Sequence, residues 1–121
     1  MSKFKSQGLY NTFKNARKGF RLVFKSEANI RIHLIIACLV LISAYFFGFN
    51  YIEYCILLTA IAIVIISEMI NTAIEFTLDA VFHNRYSKMV GMAKDISAGA
   101  VMIASFISAL IGILLFGRHL F

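Results

Sequence analysis

The sequence predicts an all-α membrane protein in which an N-terminal helix lies along the membrane surface and three further helices cross it. Hydrophobic residues make up 60% of the 121 residues and charged residues only 15%, a balance far more apolar than that of a soluble domain. A chain this short cannot bury so much apolar surface within itself, so the excess must face lipid or other subunits. The runs 34–49, 54–67 and 96–117 contain no charged residue and supply the three crossings. We expect a single domain over residues 1–121.

Residues 6–26 are predicted to form an amphipathic interfacial helix. At about 100° per residue, aromatic and aliphatic side chains gather around Phe13, while Lys and Arg lie on one flank. Such a helix buries its aromatic face in the headgroup layer and holds its basic residues near anionic lipid or an anionic soluble ligand. For most of these basic residues, a plain membrane anchor is the favoured interpretation. Eight of the twelve Lys and Arg residues precede residue 32, so the net charge of +6 belongs to one end and does not indicate nucleic-acid binding.

The transmembrane helices are expected at 30–49, 54–81 and 95–117. Each reaches the roughly 20 residues that a crossing needs, and the second continues past its uncharged part because the helical pattern persists to about Val81. Basic residues concentrate in the N-terminal segment and in the loop 82–93, whereas the turn 50–53 has none. By the positive-inside rule the N-terminus is cytoplasmic, and the C-terminus lies outside the cytoplasmic (inner) membrane.

Polar side chains of the second transmembrane helix recur at helical spacing and form one stripe on an otherwise apolar rod: Glu68, Asn71, Thr72, Glu75 and Asp79. Placing a carboxylate in hydrocarbon costs several kcal/mol of free energy unless it is paired or hydrated. Three carboxylates on one face of a helix therefore indicate a functional site. A structural polar seam between helices is the alternative. Glu68 is the deepest member and Asp79 the closest to the cytoplasm. A carboxylate near the water can bind Mg²⁺, and the deeper one can meet a group carried by a lipid.

Charged residues near the predicted cytoplasmic ends of the helices are further candidates. Lys94 can neutralise phosphate and Asp95 can orient it or a neighbouring side chain, although both residue types are also favoured at such helix ends without any function. Glu27 precedes the first transmembrane helix and can equally favour a helix start. Among the histidines, His33 is the one placed to matter, and a packing role at an interface is the favoured interpretation.

These residues favour chemistry on the head of a lipid that uses a Mg²⁺-bound anion from the cytosol. A small oligomer that conducts protons or cations would also place carboxylates in a membrane helix, but its polar residues should extend toward the outer leaflet. Within 54–66, Thr59 is the only plainly polar residue, which disfavours a pore. An assembly scaffold is a third alternative, supported by a face of small residues in the last helix.

Two motifs resemble the signatures of the bacterial integral membrane diacylglycerol kinase and undecaprenol kinase family. Residues 68–79 are similar to E-x-x-N-[ST]-A-I-E-x-x-x-D, and Ala93-Lys94-Asp95 with 98–101 is similar to the second signature. The resemblance covers essentially the whole chain. It implies a homotrimer with sites shared between subunits at the cytoplasmic interface, which transfers the γ-phosphoryl group of Mg-ATP directly to a lipid hydroxyl.

The resemblance also implies a role for each matching residue. Glu68 would be the general base, and Glu27 and Glu75 would hold Mg²⁺ with the ATP phosphates. The residues implied at the nucleotide are Lys94, Asp95, Glu27, Glu75, Asp79 and Arg21. The residues implied at the lipid substrate are Asn71, Glu68 and Arg31.

One segment resembles a particular branch of the family. Residues 27–33 are similar to the E-x-N-x-R-I-H stretch of the Gram-positive undecaprenol kinases, whereas the Gram-negative diacylglycerol kinases follow the arginine with Gln-Glu. Asn15-Ala16 with Gly19 also resembles the undecaprenol kinase form. Undecaprenol is therefore the expected lipid substrate, and diacylglycerol is the alternative.

Overall fold

The computed structural model describes residues 8–121, which form four α-helices. The helices are α1 (Gly8–Ser26), α2 (Ala28–Phe47), α3 (Tyr51–Phe82) and α4 (Lys88–Leu120). The all-helical prediction is confirmed for these residues, while the predicted start of the first helix at residue 6 lies outside them. Helices α2, α3 and α4 are long and apolar enough to cross a membrane, which confirms three candidate spans.

The turn between α2 and α3 consists of a helix stop followed by a helix start. Gly48 adopts a φ of 79°, a left-handed conformation that glycine allows without strain, and its N–H donates to the carbonyl of Tyr45 (3.2 Å). Asn50 Oδ1 then accepts a hydrogen bond from the N–H of Glu53 (2.9 Å), and Glu53 Oε1 accepts one from the N–H of Asn50 (3.0 Å). This capping box starts α3 at Tyr51, before the predicted residue 54.

The turn between α3 and α4 likewise contains a helix stop followed by a helix start. His83 closes α3 in the left-handed conformation (φ 53°). Ser87 Oγ accepts a hydrogen bond from the N–H of Val90 (3.2 Å), so α4 begins at Lys88 rather than at residue 95. The predicted span 95–117 therefore lies inside a longer helix.

Helices α3 and α4 form the most extensive helix pair, α2 packs mainly on α3, and α1 contacts α2 and α3. Because short turns join α2, α3 and α4, successive helices run antiparallel, and the α3–α4 turn lies at the end of the bundle that carries α1. We call this end the α1 end. Large apolar side chains such as Ile35, Phe46 and Met102 remain mostly exposed (61%, 78% and 69%). This exposure is what the composition predicts for a chain that faces lipid or other subunits.

A charged cluster around the buried Glu53 ties the C-terminal end of α4 to the α2–α3 turn, opposite to the α1 end. Glu53 is 2% exposed, and its Oε2 lies 2.8 Å from His119 Nε2 and 3.9 Å from Arg118 Nε. The ring of Phe49 stacks on that of His119, with 4.8 Å between the centroids. Since a buried carboxylate is stable only with such partners, the cluster holds this end of the bundle together.

Glu53→Ala is expected to lower the melting temperature of the detergent-solubilised protein by several degrees, because His119 and the N–H of Asn50 lose a buried partner. Arg118→Gln is the matched control, since the Arg118 side chain is 68% exposed and lies farther from Glu53. It should leave the melting temperature nearly unchanged. Circular dichroism during heating measures both. Equal melting temperatures for Glu53→Ala and the wild type would contradict a structural role for the cluster.

Candidate active site

The polar stripe of α3 is joined to the neighbouring helices by three contacts: Glu68 to His33, Asn71 to Ser97 and Asp79 to Lys94. His33 belongs to α2, and the other two partners belong to α4. The carboxylate side chains of the stripe become more exposed toward the α1 end, from 6% for Glu68 to 38% for Asp79. The stripe therefore runs from a buried carboxylate to an ion pair that water can reach.

Glu68 is the buried carboxylate of the stripe. Its Oε1 lies 3.3 Å from Nε2 of His33, whose side chain is 28% exposed. The hydroxyl of buried Thr72 donates to the main-chain carbonyl of Glu68 (3.0 Å), so this neighbour is satisfied without engaging the carboxylate. A carboxylate in such apolar surroundings can serve as a general base for a group that arrives from the bilayer.

Glu75 is oriented by a chain of hydrogen bonds that begins on α4. Ser97 Oγ donates to Asn71 Oδ1, and Asn71 Nδ2 donates to Glu75 Oε1 (3.0 Å). Because the Asn71 amide uses its acceptor and its donor at once, its orientation and that of the Glu75 carboxylate are fixed together. Ser97 is not among the residues predicted from the sequence, although it follows Lys94 by three positions and so shares its helix face.

Lys94 lies at the exposed end of the stripe, where its Nζ is 2.8 Å from Oδ1 of Asp79. Both side chains are 38% exposed, so the pair is accessible from water. The carboxylate that contacts Lys94 thus comes from α3, whereas the adjacent Asp95 is exposed. An ammonium group held in this way can bind a phosphate oxygen.

The other predicted site residues lie outside this network. Arg31 donates through Nη1 to the carbonyls of Phe24 (2.8 Å) and Lys25 (3.0 Å), so its guanidinium caps the C-terminal end of α1. Glu27 is half-buried at the break between α1 and α2, and Arg21 is exposed on α1. The observed partners of Arg31 are therefore main-chain groups, and its contact with the lipid substrate stays a prediction.

A magnesium ion at this site would need oxygen donors. Between residues 8 and 121, no group of three or more His, Cys, Asp or Glu side chains is close enough together to hold a metal ion. Mg²⁺ is commonly bound by one or two carboxylates together with substrate phosphates. The carboxylate of Glu75, with Oε1 engaged by Asn71, is chemically suited to that arrangement.

Residues 14–116 match the family model described as prokaryotic diacylglycerol kinase. The chain belongs to this family. The matched segment includes every member of the polar stripe and its partners on α2 and α4. The match confirms the family predicted from the motifs of α3 and α4, and with it an enzyme of the lipid kinase class.

Relatives with both kinds of lipid substrate in their names are similar to this chain. An undecaprenol kinase from Bacillus subtilis (strain 168) is 34% identical over 107 residues, which cover 88% of this chain and 86% of the relative. A diacylglycerol kinase from Haemophilus influenzae is 30% identical over 110 residues (89% and 92%), and one from Escherichia coli (strain K12) is 28% identical over 102 residues (84% and 83%). The family and the three apolar helices together indicate a bacterial membrane protein. The enzyme prediction is confirmed over its two alternatives, the conducting oligomer and the scaffold.

Proposed function

We propose that this protein is an undecaprenol kinase, which transfers the γ-phosphoryl group of ATP to the hydroxyl of undecaprenol. The relative named undecaprenol kinase is 34% identical, against 30% and 28% for the two diacylglycerol kinases. The segment 27–33, with its resemblance to the undecaprenol kinase branch, supports the same lipid. Diacylglycerol is the second candidate because the matching family as a whole is described by that substrate.

The observation that carries the proposal is the order of the polar side chains along α3. Glu68 is buried, Glu75 is half-buried and closer to the α1 end, and the pair of Asp79 with Lys94 is accessible from water. A kinase for a membrane lipid needs this order, because the lipid hydroxyl arrives from the bilayer while the nucleotide phosphates arrive from water. The base and the phosphate-binding cation are accordingly expected at different depths.

An apolar cleft leads to the buried end of the stripe. It has a volume of about 480 Å³, lies between α2, α3 and α4, and extends from His33 to Phe116. Most of its wall consists of aliphatic side chains such as Leu57 and Val64. The isoprenoid chain of the substrate lies along this cleft in our proposal, with its hydroxyl at the His33 end, beside Glu68.

In the proposed reaction, Glu68 accepts the proton of the lipid hydroxyl while the hydroxyl oxygen forms a bond to the γ-phosphorus of ATP. The bond from the γ-phosphorus to the oxygen that bridges to the β-phosphate breaks, and ADP leaves with that electron pair. Lys94 stabilises negative charge on the phosphates, and Asp79 orients its ammonium group. Glu75 and Glu27 would hold Mg²⁺, which when bound neutralises phosphate charge.

The assembly in this proposal is a homotrimer with sites shared between subunits. Arg21 and Asp95 are exposed and Glu27 is half-buried, so a neighbouring subunit can bring such groups to the stripe of this chain. The exposed apolar faces of α2 and α4 supply surface for helix contacts between subunits.

The proposed placement in the membrane follows from the charges. Residues 1–121 form one domain, with α1 lying as an amphipathic helix on the cytoplasmic surface and its basic flank toward the headgroups. The α1 end is then cytoplasmic, and the C-terminus of α4 lies outside. ATP reaches the stripe from the cytosol in this orientation.

A direct comparison of the two lipids tests the proposed substrate. Purified protein receives Mg-ATP and either undecaprenol or diacylglycerol in mixed micelles at equal surface concentration. We expect kcat/KM to be at least about 10-fold higher with undecaprenol, a discrimination that apolar contacts alone can supply. A preference for diacylglycerol would overturn the choice of lipid, and the absence of phosphorylated product from both would overturn the lipid kinase proposal itself.

Lys94→Ala is expected to raise the KM for ATP and to lower kcat/KM by about 10-fold, because the ammonium group no longer meets the phosphate charge. The effect is moderate because water reaches the half-exposed pair and screens it. Lys88→Ala is the matched control, since Lys88 is an exposed lysine at the first residue of the same helix. Steady-state kinetics with varied Mg-ATP measure both variants. Equal losses would mean that general basicity at the membrane surface is what matters.

A further inference from the structure

Among the Lys, Arg and His side chains that the structure describes, His33 is the one within ion-pair distance of the Glu68 carboxylate. His33 belongs to α2 and Glu68 to α3, so the contact joins two different helices. The His33 side chain is 28% exposed, whereas that of Glu68 is 6% exposed. The pair therefore joins a buried carboxylate to a partly exposed imidazole ring.

A buried carboxylate needs help of this kind to act as a base. The glutamate side chain has three rotatable bonds, and an apolar wall offers no group that fixes its oxygens. A catalytic base must nevertheless be held to within about 0.5 Å of its productive position. A hydrogen-bond donor on a second helix fixes one oxygen of the carboxylate, and it also attracts the negative charge that the apolar wall does not stabilise.

We propose that His33 is a positioning residue for Glu68, a role that rests on the proposed function of Glu68 as the base of a lipid kinase. In this role Nε2 of His33, which lies 3.3 Å from Oε1 of Glu68, donates to that oxygen once the substrate is bound and leaves Oε2 to take the proton of the lipid hydroxyl. Because His33 also lines the apolar cleft, the held carboxylate lies where the cleft delivers that hydroxyl. His33 itself does not touch the reacting phosphorus in this assignment.

Two substitutions separate positioning from packing. His33→Leu fills similar space without a donor, and we expect kcat for lipid phosphorylation to fall about 10- to 100-fold, a part of the 10²- to 10⁴-fold that a general base contributes. The KM for Mg-ATP should stay within about two-fold, since the nucleotide contacts lie at the other end of the stripe. His33→Gln restores an N–H donor at a similar reach and should recover most of kcat. A packing role alone predicts the opposite order, with Leu tolerated at least as well as Gln.

A double variant tests whether His33 acts through Glu68. In the Glu68→Gln background there is no base to position, so adding His33→Leu should lower kcat by less than about two-fold further. Full additivity of the two losses would overturn the assignment. His83→Asn is the control for loss of a histidine elsewhere, because His83 is exposed at the end of α3 in a left-handed conformation that asparagine tolerates.

The measurements are initial rates with undecaprenol and with diacylglycerol, together with oligomer size and melting temperature of each purified variant. If the wild type is active on either lipid and His33→Leu keeps more than half of kcat, the role of His33 is overturned while the proposed function stands. If His33→Leu fails to assemble, the comparison of His33→Gln with the wild type decides: a loss greater than about 10-fold in a folded His33→Gln would overturn the role. If the wild type phosphorylates neither lipid, the proposed function fails and the role of His33 fails with it.

Discussion

Glu68→Gln is expected to lower the rate of lipid phosphorylation by about 10²- to 10⁴-fold, the contribution typical of a general base. The amide keeps the shape of the side chain but cannot take a proton from the lipid hydroxyl. Water cannot easily replace the carboxylate, because Glu68 is only 5% exposed. Binding of Mg-ATP should be unchanged within about two-fold, since the phosphate-binding groups lie closer to the α1 end of the stripe. Initial rates and calorimetric titration with Mg-ATP on the same preparation measure the two quantities.

Ser67→Ala is the matched control for this substitution. Ser67 is the neighbouring residue on α3, and its hydroxyl donates to the carbonyl of Val64 (2.8 Å) within the same helix. It should therefore retain wild-type activity. If Glu68→Gln keeps more than about a tenth of the activity, Glu68 is not the general base. If it loses ATP binding or its oligomeric state, the polar stripe is a structural seam instead.

Glu75→Gln is expected to raise the Mg²⁺ concentration for half-maximal activity by about 10- to 100-fold, and Glu27→Gln should shift it in the same direction. A neutral amide is a poorer ligand for a hard cation than a carboxylate. Loss of even an outer-shell partner typically weakens metal binding by about that factor. At Glu75 the substitution also disturbs the chain from Ser97 through Asn71, so maximal turnover should fall as well. Activity titrated against Mg²⁺ at fixed ATP gives the midpoint.

Glu53→Gln provides the control for the magnesium titration. It removes a carboxylate at the opposite end of the bundle. Any loss of folded protein lowers the total activity but leaves the Mg²⁺ concentration for half-maximal activity unchanged. Its midpoint should equal that of the wild type. Unchanged midpoints in both Glu75→Gln and Glu27→Gln would remove these residues from the metal site.

The helices and the polar stripe could be predicted because each depends on short-range periodicity. Charge-free runs locate the crossings, and spacings of three and four residues place Glu68 and Glu75 on one face of a helix. The apolar runs predict the first residues of α3 and α4 too late, because Asn50 and Ser87 act as caps ahead of those runs. Such caps depend on single side-chain hydrogen bonds rather than on a repeating pattern.

The partners across helices could not be predicted, because they depend on how α2 and α4 pack against α3. The sequence suggests that Asp95 orients Lys94 or a neighbouring side chain, whereas the carboxylate found on Lys94 is that of Asp79. The contacts of Arg31 with the carbonyls at the end of α1 also depend on this packing, and its contact with the lipid substrate stays a prediction. His33 lies 35 positions from Glu68 in the sequence, and no local spacing rule connects them.

Transfer of label from ATP to lipid tests the central claim most directly. The purified wild-type protein is reconstituted in vesicles with undecaprenol and supplied with Mg²⁺ and either [γ-³²P]ATP or [α-³²P]ATP. The proposed function predicts label on undecaprenyl phosphate from the γ-labelled nucleotide alone, in equal amount to the ADP formed. Protein-dependent proton or cation flux across the vesicles with no labelled lipid would contradict it.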